Sequence, residues 1–308
     1  MLVFGATSLV GSHFVENNPH RIAAAGRVPP SQLGLKVERF VPTDLGNPAR
    51  VLEVVRSAPE PVVVNFAAQT DVDRIERERP ADGIAASGLA WRVNAEAAEA
   101  MAKGTRETGK YLVQISTDFV FDGTSGPYEE QSPVSPFSGR LNWYGWTKSE
   151  GERRARERDP GTLIVRIAYP FRSHFSPKLD LARWIVSSHR SGALPPLFSN
   201  QQITPTWVPD VTQALSRLIP QRPSGIVHIA SPDVTSPVEF GRTLLEKMNE
   251  GLPPVVPGLM TSGPPPSGRA VRPLRGGLRT TRAPLLQVPL TSWKQGIDRF
   301  VRETMEGS

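Results

Sequence analysis

An alternation in the first half of the chain constrains the fold more than any other feature. Short apolar runs each lead into a helix-like stretch. LVF (2–4) ends in a glycine turn, and RIAAAG (21–26), VVVNFAA (62–68), YLVQIST (111–117) and TLIVRIA (162–168) repeat the theme. Helical patterning marks 8–17, 47–57, 89–108 and 144–158 between them. Uncharged, β-branched runs suit strands buried on both faces, and strand–helix repeats build parallel sheet with helices on either side. The expectation is an α/β fold, a Rossmann-type doubly wound parallel sheet over 1–168.

After about residue 170 the character changes, and 169–308 reads as a smaller α/β region, mainly for substrate. A helix is expected within 174–192. An extended piece and a helix capped near Asp210 fill 203–219, and GIVHIAS (225–231) is strand, so the chain should return to the first sheet near 203–231. The stretch 236–251 has a Ser-Pro start and a glycine stop, the marks of a helix. Residues 252–277 are rich in proline and glycine and read as irregular. The amphipathic tail 290–305 has Thr291 or Ser292 as its N-cap.

The absence of cysteine excludes disulfides, thiolate metal sites and a cysteine nucleophile, and suits a reducing compartment. No apolar run reaches the roughly 18 residues of a membrane span, and the N-terminus lacks a signal peptide's pattern, so a cytoplasmic protein without membrane contact is expected. The formal charge is +6. Its arginines are interspersed with glutamates, as in GERRARERD (151–159), a solvated helix face with no aromatic-interleaved patch for nucleic acid. His13, His20, His174, His189 and His228 show no metal-ligand spacing, and no metal is expected. Asp71, Asp73, Glu76 and Glu78 read as a solvated helix start.

GATSLVG (5–11) follows a strand and opens a helix. That turn aims backbone N–H groups and a helix N-terminus at a pyrophosphate, making Gly5, Thr7, Ser8, Leu9, Val10 and Gly11 cofactor candidates and 1–168 an expected dinucleotide-binding domain. Ser8 replaces the middle glycine of the usual pattern, and its hydroxyl can itself bond a phosphate. The second run ends in Gly26 and Arg27 with no acid to hold a ribose diol. Arg27 can pair a 2′-phosphate, which favours NADP(H) over NAD(H), the alternative; otherwise Arg27 is a plain surface arginine.

Tyr144 and Lys148 stand one helical turn apart on one face. An ammonium beside a phenol stabilises phenolate and brings its pKa toward neutrality, as proton transfer requires. ISTDFVFDG (115–123) ends a buried strand in Ser116, Thr117 and Asp118. Its hydroxyls therefore lie at the carboxyl edge of the sheet, where ligands of open α/β folds bind.

In this set of motifs the chain resembles the extended short-chain dehydrogenases, and most of all the dTDP-4-dehydrorhamnose reductase family. The likeness runs nearly end to end, through VVVNFAAQTDVDRIE (62–76), WRVNAEAA (91–98), STDFVFDG (116–123), YGWTKSEGE (144–152), VRIAYPF (165–171), TPTWVPDV (204–211) and RPL (272–274). The resemblance implies Thr117 as catalytic hydroxyl, Tyr144 as general acid and Lys148 as its partner. It implies Asp44 and Leu45 near adenine, Phe66, Ala67 and Ala68 along ribose and phosphates, and Asn94 near the lysine. Asp118, Phe119 and Tyr169 would face a nucleotide sugar, together with Thr117 and Tyr144; Ser116 joins the cofactor set. A homodimer is the expected assembly. Gln69 and Tyr169 depart from the family's usual tyrosine and tryptophan, and RPLRGGLR (272–279) departs from its late motif.

The implied reaction is reduction of the C4 ketone of a nucleotide-linked deoxysugar, dTDP-4-dehydro-L-rhamnose to dTDP-L-rhamnose. A dehydratase would need a second acid where Phe119 stands. Another sugar reductase or an epimerase would use the same three residues. A non-catalytic NADP-binding subunit, like the beta subunit of methionine adenosyltransferase, could retain them. Trp143 and Trp146 read as core packing, with sugar stacking the lesser alternative.

Overall fold

The computed structural model describes residues 1–18, 21–80, 88–137, 140–251, 254–261 and 269–306. His20 and parts of the irregular stretch 252–277 lie outside them. The chain forms β1 (Leu2–Phe4), α1 (Leu9–Glu16), β2 (Ala23–Gly26), β3 (Arg39–Pro42), α2 (Pro48–Ser57), β4 (Val62–Asn65) and α3 (Val72–Glu76). Then α4 (Leu89–Trp91) passes through a π-helical turn, Arg92–Glu96, into α5 (Ala97–Thr108), followed by β5 (Tyr111–Thr117), α6 (Trp143–Arg158) and β6 (Leu163–Ile167). The remainder is α7 (Leu181–Arg190), β7 (Leu197–Phe198), α8 (Val208–Gln221), β8 (Gly225–His228), α9 (Pro237–Lys247), β9 (Pro257–Gly258), α10 (Arg282–Leu285) and α11 (Trp293–Glu306).

Seven strands pair in the order β3-β2-β1-β4-β5-β6-β8, every pair parallel. The order reverses between β1 and β4, and a crevice opens there at the strands' carboxyl ends. Side chains alternate between two cores. Val3, Val64, Val113 and Val165 pack with Phe14 of α1 and Val211 and Leu215 of α8. Leu2, Phe4, Val63 and Leu112 pack with Val51 and Val55 of α2 and Met101 of α5. Each such side chain gains roughly 1.5–3 kcal/mol from burial, so strands apolar on both faces have one stable place, inside.

A third core joins α7, α9 and α11. Phe171, Trp207, Phe240, Trp293 and Phe300 pack there, with Phe171 5.2 Å from both Trp207 and Phe240 between ring centroids. Ser292, rather than Thr291, caps α11 by accepting from Gln295 N. Asp210 does not cap α8. It lies in the first turn, and its carboxylate accepts from Thr291 N and Oγ1, tying α8 to the start of α11.

Two surface expectations change. The arginines of 151–159 are mostly solvated, but Glu152 and Asp159 turn inward, Asp159 accepting from Thr105 Oγ1. In the acidic run at α3, Asp71 is the exposed helix start that was expected, whereas Asp73, Glu76 and Glu78 brace other segments. Asp71 caps α3 through Arg74 N, Asp73 pairs with Arg272, Glu76 accepts from Trp143 N, and Glu78 accepts from Ala90 N.

Candidate active site

The turn after β1 sets the cleft. Gly5 has φ of 74°, and a Cβ there would meet Ala67 N at 2.5 Å. A Cβ on Gly11 would meet Gly5 O at 2.2 Å. Both positions must be glycine for β1, the α1 N-terminus and the β4 exit to close together. Ser8 caps α1, its Oγ accepting from Gly11 N at 3.1 Å and keeping its own hydrogen to donate. β4 ends sooner than its apolar run, at Asn65. Phe66, Ala67 and Ala68 leave the sheet and form the cleft wall, with Ala67 N held by Asn65 Oδ1 at 2.9 Å.

Two cavities flank this turn. One, of about 200 Å³, lies over the ends of β2 and β3 and is lined by Gly5, Thr7, Ser8, Arg27, Asp44 and Leu45, with Ala67 and Ala68. Arg27 is exposed and makes no ion pair among the described residues. Asp44 Oδ1 accepts from Gly46 N at 2.9 Å. The other cavity, of about 450 Å³, is lined by Leu9, Val10, Phe66, Ser116, Thr117, Tyr144, Lys148 and Tyr169. Thr7, Ser8 and Ala68 belong to both, so the two form one continuous cleft across the sheet edge.

Thr117 ends β5, and Tyr144 and Lys148 come from the first turns of α6, which Asn142 caps through Gly145 N. Burial pushes the Tyr144 phenol well above its usual range, and the Asp118 charge adds to the shift. A hydrogen bond with the Thr117 hydroxyl opposes it. Burial also drives Lys148 down, to about 8, against the pull of Glu152. The lysine Nζ donates to Ile115 O at 2.7 Å. The phenol is thus protonated at neutral pH, because desolvation outweighs the acidifying influence expected of the lysine.

A family model described as the RmlD substrate binding domain matches residues 1–306. The chain belongs to this family, that of the dTDP-4-dehydrorhamnose reductases. One similar relative is the probable low-salt glycan biosynthesis reductase Agl14 of Haloferax volcanii, 31% identical over 66% of this chain and 65% of that protein, just under two thirds of its length. Another is methionine adenosyltransferase 2 subunit beta of Xenopus tropicalis, 29% identical over 80% and 72%. Among solved structures, dTDP-4-dehydrorhamnose reductase from Bacillus anthracis, in complex with NADP, shares the fold. Its TM-score is 0.79 at 24% identity, covering 98% of this chain and 97% of that one.

Not every residue of the RmlD-family pattern reaches the cleft. Gly11 acts in packing alone. Asn94 sits one layer behind, where its amide accepts from Gln69 N and donates to Gln69 O and Thr147 Oγ1, clamping the cleft wall to α6. Asp118 is buried; it accepts from Thr117 at 3.3 Å and from Gly277 N at 3.4 Å, and burial raises it to about 7. Phe119 packs edge-on between Tyr144 and Tyr169, at 5.8 and 6.0 Å.

Sequence reasoning passed over two groups in this RmlD-family chain. The segment 175–181 lines the cleft, and Lys178 Nζ donates to Thr70 Oγ1 at 2.9 Å across it. Arg140, Arg269, Arg272 and Arg275 surround a separate cavity of about 510 Å³ beside Asp122 and Gly123. Arg269, Arg272 and Arg275 share one short segment, and folding brings Arg140 to them. The departing RPLRGGLR stretch supplies two of them, and its Gly276–Gly277 turn closes over Asp118.

Proposed function

We propose that this protein is an NADP(H)-dependent reductase of the C4 ketone of a nucleotide-linked deoxysugar, with dTDP-4-dehydro-L-rhamnose as substrate and dTDP-L-rhamnose as product. The observation that carries the reading is the opening of Thr117, Tyr144 and Lys148 into one cleft continuous with the glycine turn.

The residues present fit a nicotinamide dinucleotide. The Gly5 cradle, which a Cβ would fill, brings backbone N–H groups and the α1 N-terminus to the middle of the cleft, where a pyrophosphate is stabilised. Arg27 at the adenosine end has no competing carboxylate partner, which supports a 2′-phosphate and hence NADP(H) over NAD(H). The bound cofactor would supply the hydride. Tyr144, protonated at neutral pH, donates to the oxygen that becomes alkoxide, and the Thr117 hydroxyl stabilises charge there. Lys148 holds positive charge behind the phenol and anchors the ribose. The region 169–308 contributes the sugar side through Tyr169 and the 175–181 segment, and the arginine-lined cavity suits a diphosphate.

Phe119 argues against dehydration, since it places a hydrocarbon ring between Tyr144 and Tyr169 where elimination would need an acid. A non-catalytic NADP-binding subunit is the second reading, supported by the likeness to the Xenopus beta subunit. One assay separates them. With NADPH and enzymatically generated dTDP-4-dehydro-6-deoxy-L-mannose, wild type should oxidise the cofactor. Tyr144→Phe should lose at least ~100-fold in kcat while still binding NADPH. Tight NADPH binding without any oxidation would overturn the rhamnose assignment and leave another nucleotide-sugar reductase or epimerase, or the subunit.

A further inference from the structure

We propose that Glu152, locked by Arg166, is a positioning residue that acts through Lys148 and keeps its side chain an ammonium. The inference rests on the reductase reading only in that it gives this ammonium work to do.

Glu152 lies one turn beyond Lys148 on the same face of α6, so the two side chains point to one side of the helix. Lys148 is buried, and its direct hydrogen bond goes to a neutral carbonyl, that of Ile115. A buried ammonium without a carboxylate nearby would shed its proton. Of the charged groups around it, Glu152 is the carboxylate that acts on it. Tyr144 and Tyr169 face the cleft as neutral phenols, and Asp118 at the end of β5 acts on those two phenols.

Glu152 is itself over-determined. Arg166, on β6 and with no solvent exposure, grips it with two hydrogen bonds of 2.9 and 2.6 Å. The same guanidinium lies 5.0 Å from the Phe121 ring and 3.4 Å from His228 Nε2, and His228 Nδ1 is 3.0 Å from Arg279 O. With Nδ1–H donating to that carbonyl, Nε2 is left to accept from Arg166. Against burial, Arg166 foremost, then the Ser116 hydroxyl and last Lys148, hold Glu152 in its charged form. Arg166 and Lys148 together carry one more positive charge than Glu152 neutralises.

The chain has only seven lysines, so a titration of 15N-labelled lysine side chains by NMR, in the cofactor-free protein, can follow Lys148 once Lys148→Arg has identified its signal. Glu152→Gln should lower its midpoint by about one unit or more, and Glu152→Asp should restore most of it. NADPH affinity should then fall at lower pH in Glu152→Gln than in wild type. Should Glu152→Gln strand the arginine and fail to fold, Glu152→Gln/Arg166→Gln removes both charges and should still show a smaller downward shift. An unchanged Lys148 midpoint in the folded variant, whatever its stability, would overturn the proposal. Absence of sugar turnover with the shift intact would sink the reductase reading alone.

Discussion

At the residue scale, chemistry here is set by what each side chain loses on burial. Tyr144 and Lys148 were legible as a pair from their spacing, but the direction of the phenol's shift was not. It depends on desolvation, which only the packed environment fixes. Arg27 is the opposite case, exposed, and informative because of what is missing beside it. Arg27→Ala should weaken NADPH by about 10- to 100-fold while changing NADH little, since a charge-assisted pair to a phosphate contributes ~1.5–3 kcal/mol. Fluorescence titration of both cofactors checks this. Equal losses for NADPH and NADH would remove Arg27 from the 2′-phosphate.

At the element scale, the strands of the sheet interior were readable because burial on both faces leaves an uncharged β-branched signature. β3 (Arg39–Pro42) escaped because it is an edge strand, only partly buried, and its RFVP sequence carries no such run. The 89–108 helix was expected whole, yet a π-turn at Arg92–Glu96 interrupts it and holds Asn94, which clamps Gln69 and Thr147. The β1–α1 turn is where element geometry and function meet. Gly5→Ala introduces a Cβ 2.5 Å from a backbone nitrogen at a positive φ. It should cost at least ~2 kcal/mol in denaturant unfolding and lower NADPH affinity with it. A stable Gly5→Ala protein with unchanged affinity would contradict the close approach.

At the scale of the whole molecule, buried ionisable groups shape stability against pH. Burial lowers His13 and His228 from 6.5 to about 4, so the unfolded chain takes up protons first as pH falls. Their contribution is complete above pH 6.5 and is lost on the way down to 4. Asp118, raised to about 7, works the other way, because the native state keeps a proton the unfolded state has released. Asp180 and Asp210, also raised by burial, side with it. Below about pH 4.5 the depressed carboxyls of Glu130 and Glu152 add to the histidine effect. Guanidinium midpoints should therefore rise from pH 4.5 to 6.5 and level off or dip slightly by pH 7. Asp118→Asn should steepen that rise. A flat profile between pH 4.5 and 6.5 would contradict the two neutral histidines.

The linear chain by itself determined the parallel sheet, the glycine turn, the order of motifs along the sheet edge and the family, because these depend on local periodicity, turn chemistry and short spacings. Tertiary structure alone decided which residues reach the cleft. Asp118 and Asn94 carry the right motif positions, but their polar atoms are used within the fold, on Gly277, Gln69 and Thr147. It also decided that Glu152, in a stretch patterned like a solvated helix face, is buried and paired with Arg166, and that Arg140 joins the arginines of 269–275 around one cavity. The physical reason is that burial and charge pairing belong to packed neighbours rather than to sequence neighbours. A residue's place in a motif states what it can do, and the atoms folded against it decide whether that capacity is free for a ligand.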